Sequence, residues 1–335
     1  MKTWDSKGRI TMEKKYDVTA MGELLIDFTE AGHSQDGRKL FEQNPGGAPA
    51  NLLTVASHFG YRTSFIGKVG NDGFGHLLTK AVQEQGIDTT GLVYDNDVHT
   101  TLALVLKKEN GDRDFAFYRN PGADMNLKEE EVNESLIASS SIFHFGTLSL
   151  TDESVKKATQ KAVKVAKENG LTITFDPNLR EPLWRSLEEA HEQVAWGLQQ
   201  ADVVKISDNE ITWFTGMDNY DEGIAFLQKE YPNLKLICLS MGGDGSKAVY
   251  RDIHVEYPAF LQEATIETTG AGDTFCACMI HTVLENGLDH LDEEKLKVML
   301  KFANAAASLV TTKKGALRVM PTKEEVETFI ENFKR

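Results

Sequence analysis

The chain has 335 residues, 41% hydrophobic and 26% charged, enough apolar material for one large α/β domain or two smaller ones. Its 51 Asp and Glu against 36 Lys and Arg give a formal net charge of -15, which opposes nonspecific attraction to nucleic acid or anionic lipid, so an anionic substrate has to be held by local amides and a few cations. No run of about 18 apolar residues occurs and the N-terminus "MKTWDSKGRITMEKKYD" is polar, so neither a membrane span nor a secretory signal is expected, and the cytoplasm is the expected compartment.

Residues 1–11, before Met12, read as a disordered extension, and residues 12–335 as a single domain without linker or repeat. Strand-like and helix-like runs then alternate: "YDVTAMGELLIDF", "PANLLTVASHFG", "RTSFIGKVG", "DGFGHLLTKAVQEQG", and later "SIFHFG", "DESVKKATQKAVKVAKENG", "LTITFDPN", "SLEEAHEQVAWGLQQ", "ADVVKIS" and "LKLICLS". Such alternation predicts a mainly parallel sheet covered by helices on both faces. Residues 99–119 break the rhythm with two strand-like runs around Asn110-Gly111, a hairpin signal with no helix to cover it. That hairpin is read either as a flap over the site or as an ordinary sheet edge.

The late stretch "ETTGAGDTFCACMIHTVLENG" predicts a helix opening near Asp273 and closing at Gly287. Gly270, Ala271 and Gly272 then stand at its N-terminus, where unpaired amides and the dipole favour an anion and small residues let a phosphate approach. Asp273 beside them is placed to accept a proton from an attacking hydroxyl, and base and anion hole together describe phosphoryl transfer. Taken by itself the motif equally suits an Asp that caps the helix. Gly67-Lys68 lacks the remainder of a Walker A loop, and "GNDGFG" has the wrong glycine order for a dinucleotide fingerprint. Cys238, Cys276 and Cys278 offer no disulfide framework and read as buried thiols; the nine histidines show no metal-ligand spacing.

Three segments, "NPGGAPANLLTVASHFGYRTSFIGKVGNDGFG", "ADVVKISDNEITWFTG" and "ETTGAGDTF", together resemble the ribokinase-like, or PfkB, carbohydrate kinases, in an order that holds from about Tyr16 to Pro321. "FYRNPGADM" and "FDPNLREPLW" resemble the fructokinase branch. The resemblance implies a three-layer α/β/α domain with a small β-lid from segments about 24–45 and 97–122, and transfer of the γ-phosphate of MgATP to the 6-hydroxyl of D-fructose. It implies Asp273 as base, Gly270, Ala271 and Gly272 as anion hole, and Arg180 near the transferred phosphate. Asp27, Gly46, Gly47, Asn51 and Arg119 would hold the sugar, with Arg119 reaching down from the lid. Lys205, Ser240, Gly243, Gly245 and Asn304 would meet the nucleotide.

Where many members carry Asn-x-x-Glu, this chain has Ser207-Asp208-Asn209-Glu210. Glu210 would order Mg²⁺ through water, in keeping with the reluctance of that ion to shed its waters. Glu267 and Thr269, near "TTKKGAL", resemble a K⁺ site, and a homodimer through the lid is a further expectation. The rival readings are a 2-keto-3-deoxygluconate kinase using Arg119 and Arg180 for the substrate carboxylate, and a catalytically silent sugar-binding relative.

Overall fold

In the computed structural model, which describes residues 2–4, 10–12, 14–107 and 113–333, the N-terminal segment expected to be disordered carries a two-stranded antiparallel ribbon, Lys2–Trp4 (β1) with Ile10–Met12 (β2). The apolar run that follows, expected as one strand, divides at Gly22 into Tyr16–Met21 (β3) and Leu25–His33 (β4). β3 is buried nearly throughout, as a strand covered on both faces must be. β4 passes from buried to exposed along its length, and it belongs to a different sheet.

After β4 come Lys39–Gly46 (β5), the helix Ala48–His58 (α1), Thr63–Gly70 (β6), Gly73–Glu84 (α2), Asp88–Asp95 (β7), Leu102–Lys107 (β8), Arg113–Tyr118 (β9), Glu134–Ala138 (α3), Ser140–Gly146 (β10), Glu153–Glu168 (α4), Thr172–Asp176 (β11) and Leu187–Gln200 (α5). The chain continues through Val203–Ser207 (β12), Asp208–Thr215 (α6), Tyr220–Glu230 (α7), Leu236–Ser240 (β13), Ser246–Tyr250 (β14), Ile253–Tyr257 (β15), Ala271–Asn286 (α8), Glu293–Thr311 (α9) and Lys323–Asn332 (α10).

The main sheet has nine strands in the order β15-β14-β13-β12-β11-β10-β3-β6-β7, parallel from β13 to β7 and antiparallel at the β13-β14-β15 edge. Its two faces make separate cores. One packs against α1, α2 and α8 to α10, the other against α3 to α7. β10 sends Ile142 to the first and Phe143 and Phe145 to the second. The expected three-layer α/β/α architecture is what forms.

The smaller sheet runs β5-β4-β8-β9, with β4 and β8 parallel and the outer pairs antiparallel. β8 and β9 are the arms of the expected hairpin, in register from Leu102 opposite Tyr118 to Lys107 opposite Arg113. Its Asn110-Gly111 turn lies outside the described residues. Both roots of this hairpin are tied to one carboxylate. Thr101 Oγ1 donates to Asp124, and Arg119 Nε donates to Asp124 Oδ2 at 2.7 Å. Arg119 also donates to Thr151 Oγ1 and to the Leu148 carbonyl, both at 2.9 Å, and is only 6% exposed.

Candidate active site

A cleft of about 740 Å³ opens between the smaller sheet and the carboxyl ends of the parallel strands, the usual ligand position in an open α/β sheet. α8 enters it N-terminus first. Its N-cap, Gly270, has φ 80°, a left-handed conformation that glycine adopts without a Cβ penalty, and it supplies no side-chain cap. The first-turn amides and the positive dipole end are thus left without a side-chain partner of the helix's own. Asp273 is the third residue of α8, so the reading of it as the cap does not hold. Instead its Oδ2 accepts a 2.8 Å hydrogen bond from Asn51 Nδ2. Burial pushes the Asp273 carboxyl up, and the Asn51 hydrogen bond and the charges of Lys205 and Arg180 offset this only in part. Asn51 is buried in the first turn of α1, and its Oδ1 has no partner among the described residues.

Lys205, near the end of β12, is 5% exposed and sits 3.2 Å from Asp176 Oδ2. A Cβ on Gly272 would lie 3.1 Å from its ammonium, which places that charge beside the α8 N-terminus. Burial favours a neutral lysine, but the carboxylates of Asp176 and Glu210 outweigh it and hold Lys205 charged. Glu210 closes a capping box on α6: its Oε2 accepts from the N–H and Oγ of Ser207, each at 2.8 Å, and its Oε1 from Leu179 N at 2.8 Å. Ser207 is thus a good N-cap for α6, a role that the Asn of other members would fill equally well. Burial alone would raise the Glu210 carboxyl, yet Lys205 and these hydrogen bonds bring it below the usual range. Among the described residues no group of three His, Cys, Asp or Glu is arranged to hold a metal.

At the small-sheet end of the cleft lie Asp27, Gly47 and Asn51, with Thr29 and Asn44 across the β4-β5 ladder, where Asn44 Nδ2 donates to Thr29 Oγ1 at 2.9 Å. Gly46 stands behind Asp27, and a Cβ there would come within 2.6 Å of its Oδ2. Burial raises the Asp27 carboxyl to about 7; Arg180 opposes the rise, and Glu267 and Asp273 add to it. Arg180 is exposed and lines the cleft after Asn178, which has a left-handed φ of 43° and donates its N–H to Asp176 Oδ1 at 3.1 Å. Arg119 does not line the cleft. Its guanidinium is occupied by Asp124, Thr151 and Leu148, which corrects the expectation that it reaches down to the sugar.

Ser240 ends β13 opposite Ser207, and Gly243 and Gly245 form the turn into β14, at the same end of the sheet but outside the cleft lining. Asn304 on α9 donates to the Tyr257 and Pro258 carbonyls at 2.9 and 3.2 Å, so its amide pins the turn after β15. Glu267 and Thr269 line the cleft, and Ile266 and Glu267 donate their backbone N–H to Thr311 O, which joins this loop to the C-terminal end of α9. Sequence reasoning missed Glu23, Asp176 and Asn178. Asp176 was open to inference, since it is a polar residue ending a parallel strand at its carboxyl end.

The pfkB family carbohydrate kinase model matches residues 15–323. A probable fructokinase-2 of Arabidopsis thaliana is 41% identical over 315 residues, covering 93% of this chain and 95% of that protein. Among solved structures, fructokinase with bound ATP from Xylella fastidiosa superposes with a TM-score of 0.86 at 29% identity, over 96% of this chain and 99% of the other. Fructokinase from Vibrio cholerae with bound fructose, ADP and calcium ion gives 0.85 at 27% identity, over 95% and 100%. A match that spans nearly the whole chain, on a three-layer fold whose α8 N-terminus carries Gly270, Gly272 and Asp273 into the cleft, means that this chain belongs to the pfkB family of carbohydrate kinases.

Proposed function

We propose that the chain is an ATP-dependent fructokinase that phosphorylates the 6-hydroxyl of D-fructose. The observation that carries this reading is the Asp273 carboxylate, held at 2.8 Å by Asn51 in the first turn of an uncapped helix and next to a charged lysine. Asp273 takes the proton of the acceptor hydroxyl, the freed oxygen forms a bond to the γ-phosphorus, and the bond to the β,γ-bridging oxygen breaks as ADP leaves. Negative charge on the transferring group is met at the start of α8 by the amides of Gly270 and Gly272, by that of Ala271 once it leaves the Thr268 carbonyl it donates to at 3.2 Å, and by Lys205 and Arg180. Asp27 accepts from sugar hydroxyls, beside Asn51, which also lines the cleft. Ser240, Gly243 and Gly245 face the nucleotide, with Asn304 shaping its pocket from behind.

Glu210 suits Mg²⁺ held through water. Its carboxylate is kept ionised, both oxygens are fixed by backbone N–H groups, and Oε1, which accepts from Leu179 N alone while Oε2 takes both Ser207 donors, keeps an acceptor site for water. When bound with the nucleotide, that ion neutralises phosphate charge. Glu267 and Thr269 are the residues for K⁺. The small sheet is the lid, and Leu40, Phe41 and Tyr118, exposed on its two outer strands, support pairing with a second copy through it, which sedimentation would test. Three buried thiols without a disulfide suit the cytoplasm.

Fructose is favoured over 2-keto-3-deoxygluconate because, of the two arginines an acid sugar would use, Arg119 is bound to Asp124 and only Arg180 lines the cleft, which Glu23, Asp27 and Glu267 also wall. A coupled ADP-release assay on fructose, 2-keto-3-deoxygluconate and ribose decides. Turnover on fructose at least tenfold above the others is expected. Preference for the acid sugar refutes the assignment, and no turnover on any sugar favours a silent relative.

A further inference from the structure

Three helix N-termini have first turns that line the cleft, and they end differently. α6 is closed by Ser207 and Glu210, and α8 takes no side-chain cap. α1 is closed from a distance. Its N-cap is Gly47, with φ 132°, and a Cβ there would sit 2.4 Å from the Glu23 carbonyl oxygen, so no capping side chain fits at that position. The helix then carries Pro49, which has no N–H. The first donor of the helix, Ala48 N–H, is taken by Glu23 Oε1 at 2.7 Å. Glu23 is 5% exposed, in the bend between β3 and β4.

Three residues after Ala48 on the same turn stands Asn51, whose amide holds Asp273. Two hydrogen bonds and one stiff helical turn therefore run from Glu23 to the base. We propose that Glu23 is a positioning residue: by anchoring the N-terminus of α1 it sets Asn51, and through Asn51 the direction of the Asp273 carboxylate. This rests on the reading of Asp273 as the general base. It also separates the roles of the helix ends, because a carboxylate on the α1 amides keeps a phosphate from settling there and leaves α8 as the anion seat. Burial raises the Glu23 carboxyl to about 7, and ionised or protonated it keeps an acceptor oxygen for Ala48. An amide of the same shape preserves that contact, whereas a carboxylate one methylene shorter withdraws from it.

The test is steady-state kinetics on Glu23→Gln, Glu23→Asp and Glu23→Ala, each in the parent and in the Asn51→Ala background, with Asp273→Asn as reference and thermal melting as control. Glu23→Gln should keep kcat within about threefold of the parent. Glu23→Asp and Glu23→Ala should lower kcat by about 10- to 100-fold, the range for a reacting group misplaced by an ångström, with fructose KM changed less than kcat. In the Asn51→Ala background, Glu23→Ala should cost less than about threefold more, since the two act in series. A higher fructose KM with normal kcat would make Glu23 a direct sugar ligand and overturn the proposal. Rescue by Asp but not Gln would assign its effect to charge, and additive losses would uncouple it from Asn51; either also overturns it. If Glu23→Ala does not fold, the Gln and Asp pair decides alone. Full turnover in Asp273→Asn would remove the base assignment itself, a failure distinct from a normal loss there with additive Glu23 and Asn51 effects.

Discussion

Replacing Asp273 separates its two relationships, one to the substrate and one to Asn51. Asp273→Asn keeps an oxygen to accept the 2.8 Å hydrogen bond from Asn51 but loses the proton-accepting carboxylate. Turnover should fall by about two to four orders of magnitude, the usual contribution of a general base, with fructose still binding in calorimetry. Melting should stay close to the parent, because the buried carboxylate carried a desolvation cost that the amide does not. Asp273→Ala should lose as much rate and some stability as well. It strips the partner from an Asn51 side chain that is 3% exposed and whose Oδ1 is already unpartnered, which costs about 1–3 kcal/mol for the orphaned donor. The assay is coupled ADP release at saturating fructose and ATP, run beside thermal melts of both variants. A loss below about tenfold in the Asn variant would refute the role of Asp273 as base, and equal melting of the Asn and Ala variants would refute the account of the Asn51 contact.

Gly272→Val sets a branched side chain 3.1 Å from the Lys205 ammonium and over the helix amides, and should cut kcat by about 10²- to 10³-fold with little change in melting; normal turnover would remove the anion hole. Arg119→Ala leaves Asp124 buried without its cation, so about 3–5 kcal/mol of stability should be lost. Unchanged denaturant unfolding together with a raised fructose KM would return Arg119 to the sugar. His144 is buried, and burial together with the nearby charge of Lys205 pushes its pKa down to about 3. The unfolded chain protonates this residue near 6.5 while the fold does not, so its contribution is full above 6.5 and shrinks as pH falls toward 3, by up to about 1.4 kcal/mol per unit. Urea melts of parent and His144→Gln should therefore diverge across that window, and parallel pH profiles would show that the imidazole titrates alike in the folded and unfolded chain.

The layers, the hairpin arms and α8 were legible because each is written locally, in alternation, in two runs around Asn110-Gly111, and in a glycine-led helix start. The division of the first apolar run at Gly22 was not. A side chain at Gly22 would strike Pro49 in α1, so the glycine at this division answers to a tertiary contact that no hydrophobic pattern reports. Arg119 read as a free cation because its partner Asp124, though only five residues on, becomes a partner through the way the chain returns from β9. Glu23 was hidden inside "GELLIDF", where a strand signal drowns a single acid. Its function depends on a helix end 25 residues away. Glu210 was found by pattern, while its capping box with Ser207 is a feature of the folded helix start.

The clasp at Asp124 makes the β8-β9 hairpin, together with the β4-β5 pair to which β8 is laddered from Leu102 to Val105, a lever with its pivot at the body of the protein. Each arm has six residues, so its length is about 20 Å at about 3.3 Å per residue. A rotation of about 10° at the pivot moves the far end of such an arm by about 3.5 Å, and moves Val105 and Phe117, the cleft-lining residues partway along it, by less. Small slack at Thr101, Asp124 or Arg119 is therefore geared up into looseness around the substrate, and the tightness of one buried carboxylate sets how closely the cleft can fit the molecule inside it.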